Sequence, residues 1–163
     1  MTEINSSPGS GAVMRWWSRC EKLPAGRYLF SLALGWFVPY SGSIGVRVEE
    51  LRPGYARLGL ADRRRVRNHL NSIHAIALVN LGEIATGLAL FSAISANMRG
   101  ILTDIHAQYL KKARGKLTAS ASYRLPDGLG DDTPCEIEAR VLDRSGDVVC
   151  IVTATWLVGY RKS

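Results

Sequence analysis

Little in this chain of 163 residues can cross-link it or chelate a metal. Its three cysteines, Cys20, Cys135 and Cys150, are odd in number and stand at no metal-ligand spacing, which argues against a disulfide framework and a zinc site alike. They read as reduced thiols of a cytoplasmic protein, placed for packing. Acid is scarce as well: 14 Asp and Glu face 21 Lys and Arg, for a net charge of +7. That balance points to an anionic partner, with nucleic acid, an acidic membrane surface and a phosphate-bearing cofactor all compatible. The first eleven residues hold no basic stretch leading into an apolar one, so they are expected to be a flexible start and not a signal peptide. The chain shows no internal repeat and no second domain. Its hydrophobic content of 47% suits one globular core. The expected division is a flexible N-terminus over residues 1–12, a helical extension over 13–42 and the main domain over 43–163.

Long apolar runs are also few; the one that stands out covers residues 73–94. Its length would cross a bilayer, which takes about 20 residues. However, His74, Asn80 and Glu83 lie inside it, and one central acid costs roughly 2.5–3.5 kcal/mol on insertion. A helix enclosed in a protein core fits better, and no membrane partner is expected. Residues 28–38 are too short to cross.

Two short helices are predicted over residues 14–21 and 26–37, broken by Pro24 and closed by Pro39 and Gly42, with Trp16 and Trp17 read as packing residues covering one side of the domain in preference to lipid contacts. Period-two alternation predicts a strand over 44–51, then a Pro53-Gly54 turn and a strand over 55–60. A helix from Ala75 to about residue 94 follows, with Ser72 as the candidate N-cap. Its apolar residues point in nearly every direction, so it should be enclosed. Asn80, Glu83 and Gly87 form its narrow polar stripe, and Gly82 and Gly87 permit close backbone approach. Four strands are predicted over 101–111, 116–124, 135–143 and 148–160. Gly115, Pro126-Asp127-Gly128 and Ser145-Gly146-Asp147 separate them. Two strands, a helix and four strands make an α+β pattern in which one sheet can wrap one buried helix.

Glu83 is the candidate that carries chemistry, because a carboxylate in an apolar helix is costly to bury without a partner or a proton. It stands nine residues after His74, and Asn68 stands six before that histidine. The run Asn68-His69-Leu70-Asn71-Ser72-Ile73-His74-Ala75-Ile76, followed by Glu83, resembles the active-site segment of hotdog-fold acyl-CoA thioesterases of the phenylacetate type. It is similar also to a little-characterised bacterial branch of hotdog proteins. The likeness extends over residues 43–160 and takes in Thr103-Asp104-Ile105, Tyr109-Leu110, Ala113 and Gly115. Two glycines of the phenylacetate-type pattern are replaced by Ala75 and Ile76 here, and a third by Asn71. The resemblance implies a hotdog fold, an antiparallel sheet wrapped around a long central helix. It implies too that sites form between the subunits of a dimer or a dimer of dimers (a homotetramer).

Thioester hydrolysis needs a carboxylate to activate water or attack, donors for the carbonyl oxygen, and a dry slot for the acyl chain. Glu83 is assigned as base or nucleophile, with a pKa expected to be raised by burial. Asn68 would orient water or the carbonyl, or else close its own loop by bonding local backbone. His74 has either a direct substrate role or one of capping and positioning. The oxyanion donors would be the backbone N–H groups near Ala75 and Ile76, at the positive end of the helix dipole. Nine residues at roughly 100° each put Glu83 about half a turn from His74 and about 13 Å along the axis. One chain is therefore not expected to unite them, whereas in a two-fold dimer, as the resemblance implies, Glu83 of one subunit could meet the Asn68–His74 end of the other.

Arg65 and Arg67, with neighbouring Arg64, and Lys111, Lys112 and Arg114 are candidates for the phosphates of coenzyme A, or are a solvated face. No nucleic-acid partner is expected, since the arginines lack interleaved aromatics. No metal and no cofactor are called for; acyl-CoA is the substrate. Leu88 and Phe91, with Trp36 and Phe37, would line an acyl pocket or be ordinary core. Two other readings stand beside hydrolysis. One is a non-catalytic acyl- or CoA-binding hotdog protein. The other is a hydratase or dehydratase using His69, fourteen residues before Glu83.

Overall fold

The computed structural model describes residues 11–126, 129–130 and 132–161. Three helices open it, α1 (Ala12–Cys20), α2 (Gly26–Phe37) and α3 (Pro39–Ser43). Strands β1 (Arg47–Arg52) and β2 (Tyr55–Leu60) follow, then a short 3-10 turn and the long helix α4 (Ala75–Ala93). Strands β3 (Met98–Tyr109), β4 (Leu117–Ser122), β5 (Thr133–Leu142) and β6 (Val148–Tyr160) complete the chain. The six strands form one antiparallel sheet in the order β1-β2-β4-β5-β6-β3. α4 lies along its inner face, which is the hotdog arrangement that the resemblance implies.

Strand β5 shows why the sheet has an inside. Cys135, Ile137, Ala139 and Val141 are buried, while Glu136, Glu138 and Arg140 alternate outward. Many inward residues are alanines, among them Ala56, Ala119, Ala121, Ala139 and Ala154. Their small side chains let α4 settle close to the backbone. Gly82 marks the tightest approach on the helix: a Cβ there would lie 2.5 Å from Val152 Cβ. Gly87 is similarly pressed by the Trp156 ring, at 3.2 Å. The close approach expected at both glycines is what the structure contains. α4 is the one described helix long and apolar enough to span a bilayer, and most of it is covered by protein.

Several boundaries differ from expectation for physical reasons. β1 starts at Arg47, not at residue 44, because Pro39 opens the short helix α3 and Gly45 then turns with φ +68°. β3 starts earlier than expected, at Met98, because residues 95–97 make only a tight turn. α1 starts at Ala12, before the expected residue 14. Residues 1–10 of the expected flexible start, and residues 127–128 of the expected turn, lie outside the described residues. Trp17 is buried as expected, against Phe30 at 5.1 Å, but Trp16 is substantially exposed. Cys135 and Cys150 are buried in the sheet; Cys20 is only partly covered.

Candidate functional site

The segment leading into α4 is closed on itself. Asn68 Oδ1 accepts from Leu70 N at 3.0 Å, Ser72 N at 3.2 Å and Ser72 Oγ at 3.2 Å. Asn68 N donates in turn to the Ser72 carbonyl at 2.8 Å. The loop-closing role of Asn68 is thus occupied, and only its amide NH2 is left to reach a ligand. Asn71 has φ +54°, the left-handed region that glycine or asparagine tolerates, which accounts for the exchange of those two residues at this turn.

Ser72 is not the N-cap. Its hydroxyl is spent on Asn68, and His74 caps the helix instead, with Nδ1 accepting from Ile76 N at 3.1 Å. Extended backbone at His74 and a bond from its N–H to the Val66 carbonyl at 2.8 Å fix it there. The Ile76 amide is therefore engaged, while the Ala75 amide has no such partner among the described residues.

β3 runs beside α4 in the opposite direction. Its start touches the helix end, where a Cβ on Gly100 would meet the Leu90 side chain at 2.7 Å. Its end reaches the helix start, where the Tyr109 hydroxyl donates to the Ala75 carbonyl at 3.4 Å. Along α4 the incompletely covered residues Ile76, Val79 and Glu83 fall in one line at helical spacing. Glu83 is half-buried in that seam. Among the described residues its carboxylate has no ion-pair or hydrogen-bond partner, and desolvation raises its pKa above the ordinary carboxylate range. Asn80, one turn earlier, is buried with its side-chain NH2 unpartnered.

A cleft of about 380 Å³ opens at the N-terminus of α4. It unites Asn68, Ala75, Lys111 and Lys112 of the sequence candidates and adds Tyr109 and Leu110. Glu83, His74, Ile76, Arg65, Arg67 and Arg114 do not line it. Tyr109 is the site residue that sequence reasoning missed; it stood only as part of the strand signature. Desolvation raises the Tyr109 pKa above the usual phenol range.

The basic candidates divide into committed and open. Arg65 donates to the Ser43 carbonyl. Arg67 binds Asp62 at 2.6 Å, and Asp62 also accepts from Gly115 N at 2.8 Å, tying two loops together. Lys111 is held by Asp143 and Asp147. Lys112 and Arg114 are exposed and carry no ion pair among the described residues.

A second, wholly apolar cleft of about 310 Å³ lies between α1, α2 and the far half of α4. Phe37, Leu88 and Phe91 line it with Trp16, Phe30 and Leu34; Trp36 does not.

Comparison with known proteins gives a consistent frame. A family model described as Domain of unknown function (DUF4442) matches residues 26–158. No curated protein matches the chain. Among solved structures, the structural-genomics protein APC5556 shares 31% identity with a TM-score of 0.78, covering 91% of this chain and 98% of its own. Protein PA5026 of Pseudomonas aeruginosa, described as a probable thioesterase, shares 21% identity at TM-score 0.71, covering 85% and 97%. A hypothetical thioesterase of Streptococcus pneumoniae, solved with coenzyme A, shares 21% identity at TM-score 0.65, covering 81% and 99%. At 21% identity these last two likenesses speak to fold alone.

Proposed function

This chain belongs to the family described as Domain of unknown function (DUF4442), and on that footing we propose that it hydrolyses acyl-coenzyme A thioesters at two equivalent sites of a two-fold dimer. The observation that carries the reading is Glu83, a half-buried carboxylate with no ion-pair or hydrogen-bond partner among the described residues, in line with the incompletely covered Ile76 and Val79 of α4. An acid raised by desolvation is a better general base than an ordinary surface carboxylate. Solved proteins of the same fold named as thioesterases, one of them with coenzyme A, support the substrate class.

The dimer in this reading forms through β3. Among the described residues that strand has a neighbour, β6, on one side only, and the opposite edge of its twelve residues is unpaired. Ile101, Ile105 and Tyr109 on it are exposed, as is Ile76 on the adjoining helix. A long strand edge with unpaired backbone is a pairing surface unless something covers it. A second copy docked there sets the two α4 helices side by side, with Glu83 of one subunit toward the helix entrance of the other.

The reaction then runs in ordinary steps. Glu83 takes a proton from water, and the hydroxide oxygen bonds to the thioester carbonyl carbon. The Ala75 amide holds the oxygen that becomes negative, and rotation of His74 would free the Ile76 amide as a second donor. The C–S bond breaks, and the proton returns to the departing thiolate. Lys112 and Arg114 meet coenzyme A phosphates, the Asn68 amide orients the carbonyl, and the cleft holding Leu88 and Phe91 takes the acyl tail.

A thiol-release assay over short, medium, long and aromatic acyl-CoA substrates tests the reading. Glu83→Gln should lower turnover by on the order of 10²–10⁴-fold; unchanged release, or none from any substrate with the native chain, defeats it. The engaged Ile76 amide favours a second reading, a protein that binds acyl-CoA without cleaving it. Thermal stabilisation by acyl-CoA with no thiol released would select that one.

A further inference from the structure

The outward face of α2 is a large surface that the proposed chemistry leaves unused. Leu29, Leu32 and Trp36 follow one another at helical spacing and are all exposed, Trp36 to 79%. Tyr40 extends the patch, and Phe37 and Trp16, which also line the apolar cleft, border it. The Phe37 ring meets Trp16 of α1 edge-on at 5.3 Å and Trp36 at 5.5 Å, making a row of three surface rings. Helices on a protein surface ordinarily turn charge outward, and a contiguous apolar patch marks an interaction site.

Charge narrows the partner. From Lys22 to Val48 the sequence contains no acid; its ionised side chains are Lys22, Arg27 and Arg47. Arg19 stands just before, one helical turn from Trp16, and Arg47 lies over the Tyr28 ring at 5.6 Å. The nearest acids along the strand, Glu49 and Glu50, are paired with Arg52, Arg57 and Lys116. A second copy of the chain on this face would bring the same four basic residues together against a single acid per copy, Glu21, which lies between Arg19 and Lys22. A negatively charged lipid surface satisfies both parts, with Trp and Tyr at the boundary and Lys and Arg on the headgroups.

We propose that α2 and α3 dock this protein on an anionic bilayer surface, with Leu29, Leu32, Trp36 and Tyr40 entering the interface and Arg19, Lys22, Arg27 and Arg47 contacting headgroups. The twelve residues of α2 are too few to cross, so the protein lies on the membrane. α2 packs beside β1, at the edge of the sheet opposite β3, so docking leaves the β3 edge open for a dimer. The inference does not depend on hydrolysis.

Co-sedimentation with vesicles tests it, using pure phosphatidylcholine and the same lipid with about a third phosphatidylglycerol. Binding to the anionic vesicles should be at least about tenfold tighter than to the neutral ones, and should weaken in high salt. A Leu32→Ser/Trp36→Ser variant should lose at least about tenfold in affinity with an unchanged thermal midpoint, since both side chains are exposed. Arg27→Glu should reduce the preference for anionic lipid. No binding to either vesicle, or full binding by the serine variant, would overturn the proposal. So would analytical ultracentrifugation showing that the serine variant dissociates an oligomer, which would give the face to a second copy.

Discussion

Glu83 is the one ionisable side chain of α4, whose others are apolar apart from Asn80, Thr86 and Ser92, and that placement has a measurable cost. Burial raises its folded pKa above the unfolded value. At pH below the unfolded value both states carry the proton and no penalty exists. As pH rises toward the folded value, the unfolded chain ionises freely while the folded one resists, so stability falls across that window. Glu83→Gln should therefore leave the thermal midpoint almost unchanged near pH 4 and raise it near pH 8, as melts at the two pH values would show. An equal effect at both would mean that desolvation is not the cause. A gain in stability paired with lost turnover is the signature of an acid kept for chemistry. This residue was legible in the sequence because its surroundings are so uniformly apolar. Capping by His74 was one of the two roles the sequence left open, but that Ser72 does not cap was illegible: local preference favours serine, and only the folded loop shows Ser72 already bound to Asn68. Tyr109 was illegible for a similar reason, since its hydroxyl matters only where the end of β3 meets the start of α4.

At the scale of elements, the contact of α4 with β6 is where sequence and packing pull in opposite directions. Gly82 weakens a helix by about 1 kcal/mol relative to alanine. Yet an added Cβ would come within 2.5 Å of Val152 Cβ, a branched position in a strand that cannot swing aside. Gly82→Ala is expected to destabilise the protein by about 1–3 kcal/mol net, read as a lower denaturant midpoint. Adding Val152→Ala should recover part of that loss, a coupling a double-mutant cycle would expose; strict additivity would count against the contact. The order of the elements was readable because strands such as β5 alternate with period two and α4 is apolar all round. Their ends were less readable. The start of β1 depends on Gly45 and α3, and the register of β3 shifts between Leu102 and Asp104, neither of which alternation encodes.

For the whole molecule the question is whether one chain holds a complete site. Glu83 lies outside the cleft that gathers Asn68, Ala75 and Lys112, and the helix between them is rigid. If β3 pairs two copies, Ile105→Lys on that strand should shift the protein to monomer in analytical ultracentrifugation and lower turnover with it. A stricter test uses two variants in one dimer. Glu83→Gln removes the base, while Asn68→Asp keeps an acceptor for the Leu70 and Ser72 amides but removes the side-chain NH2 that orients the carbonyl. Co-expressed with different tags and purified through both, the mixed dimer carries one site with both native residues and one with neither. It should show about half the native turnover although each parent is impaired. A site formed within one chain would leave both halves defective, and the mixed dimer would do no better than its parents.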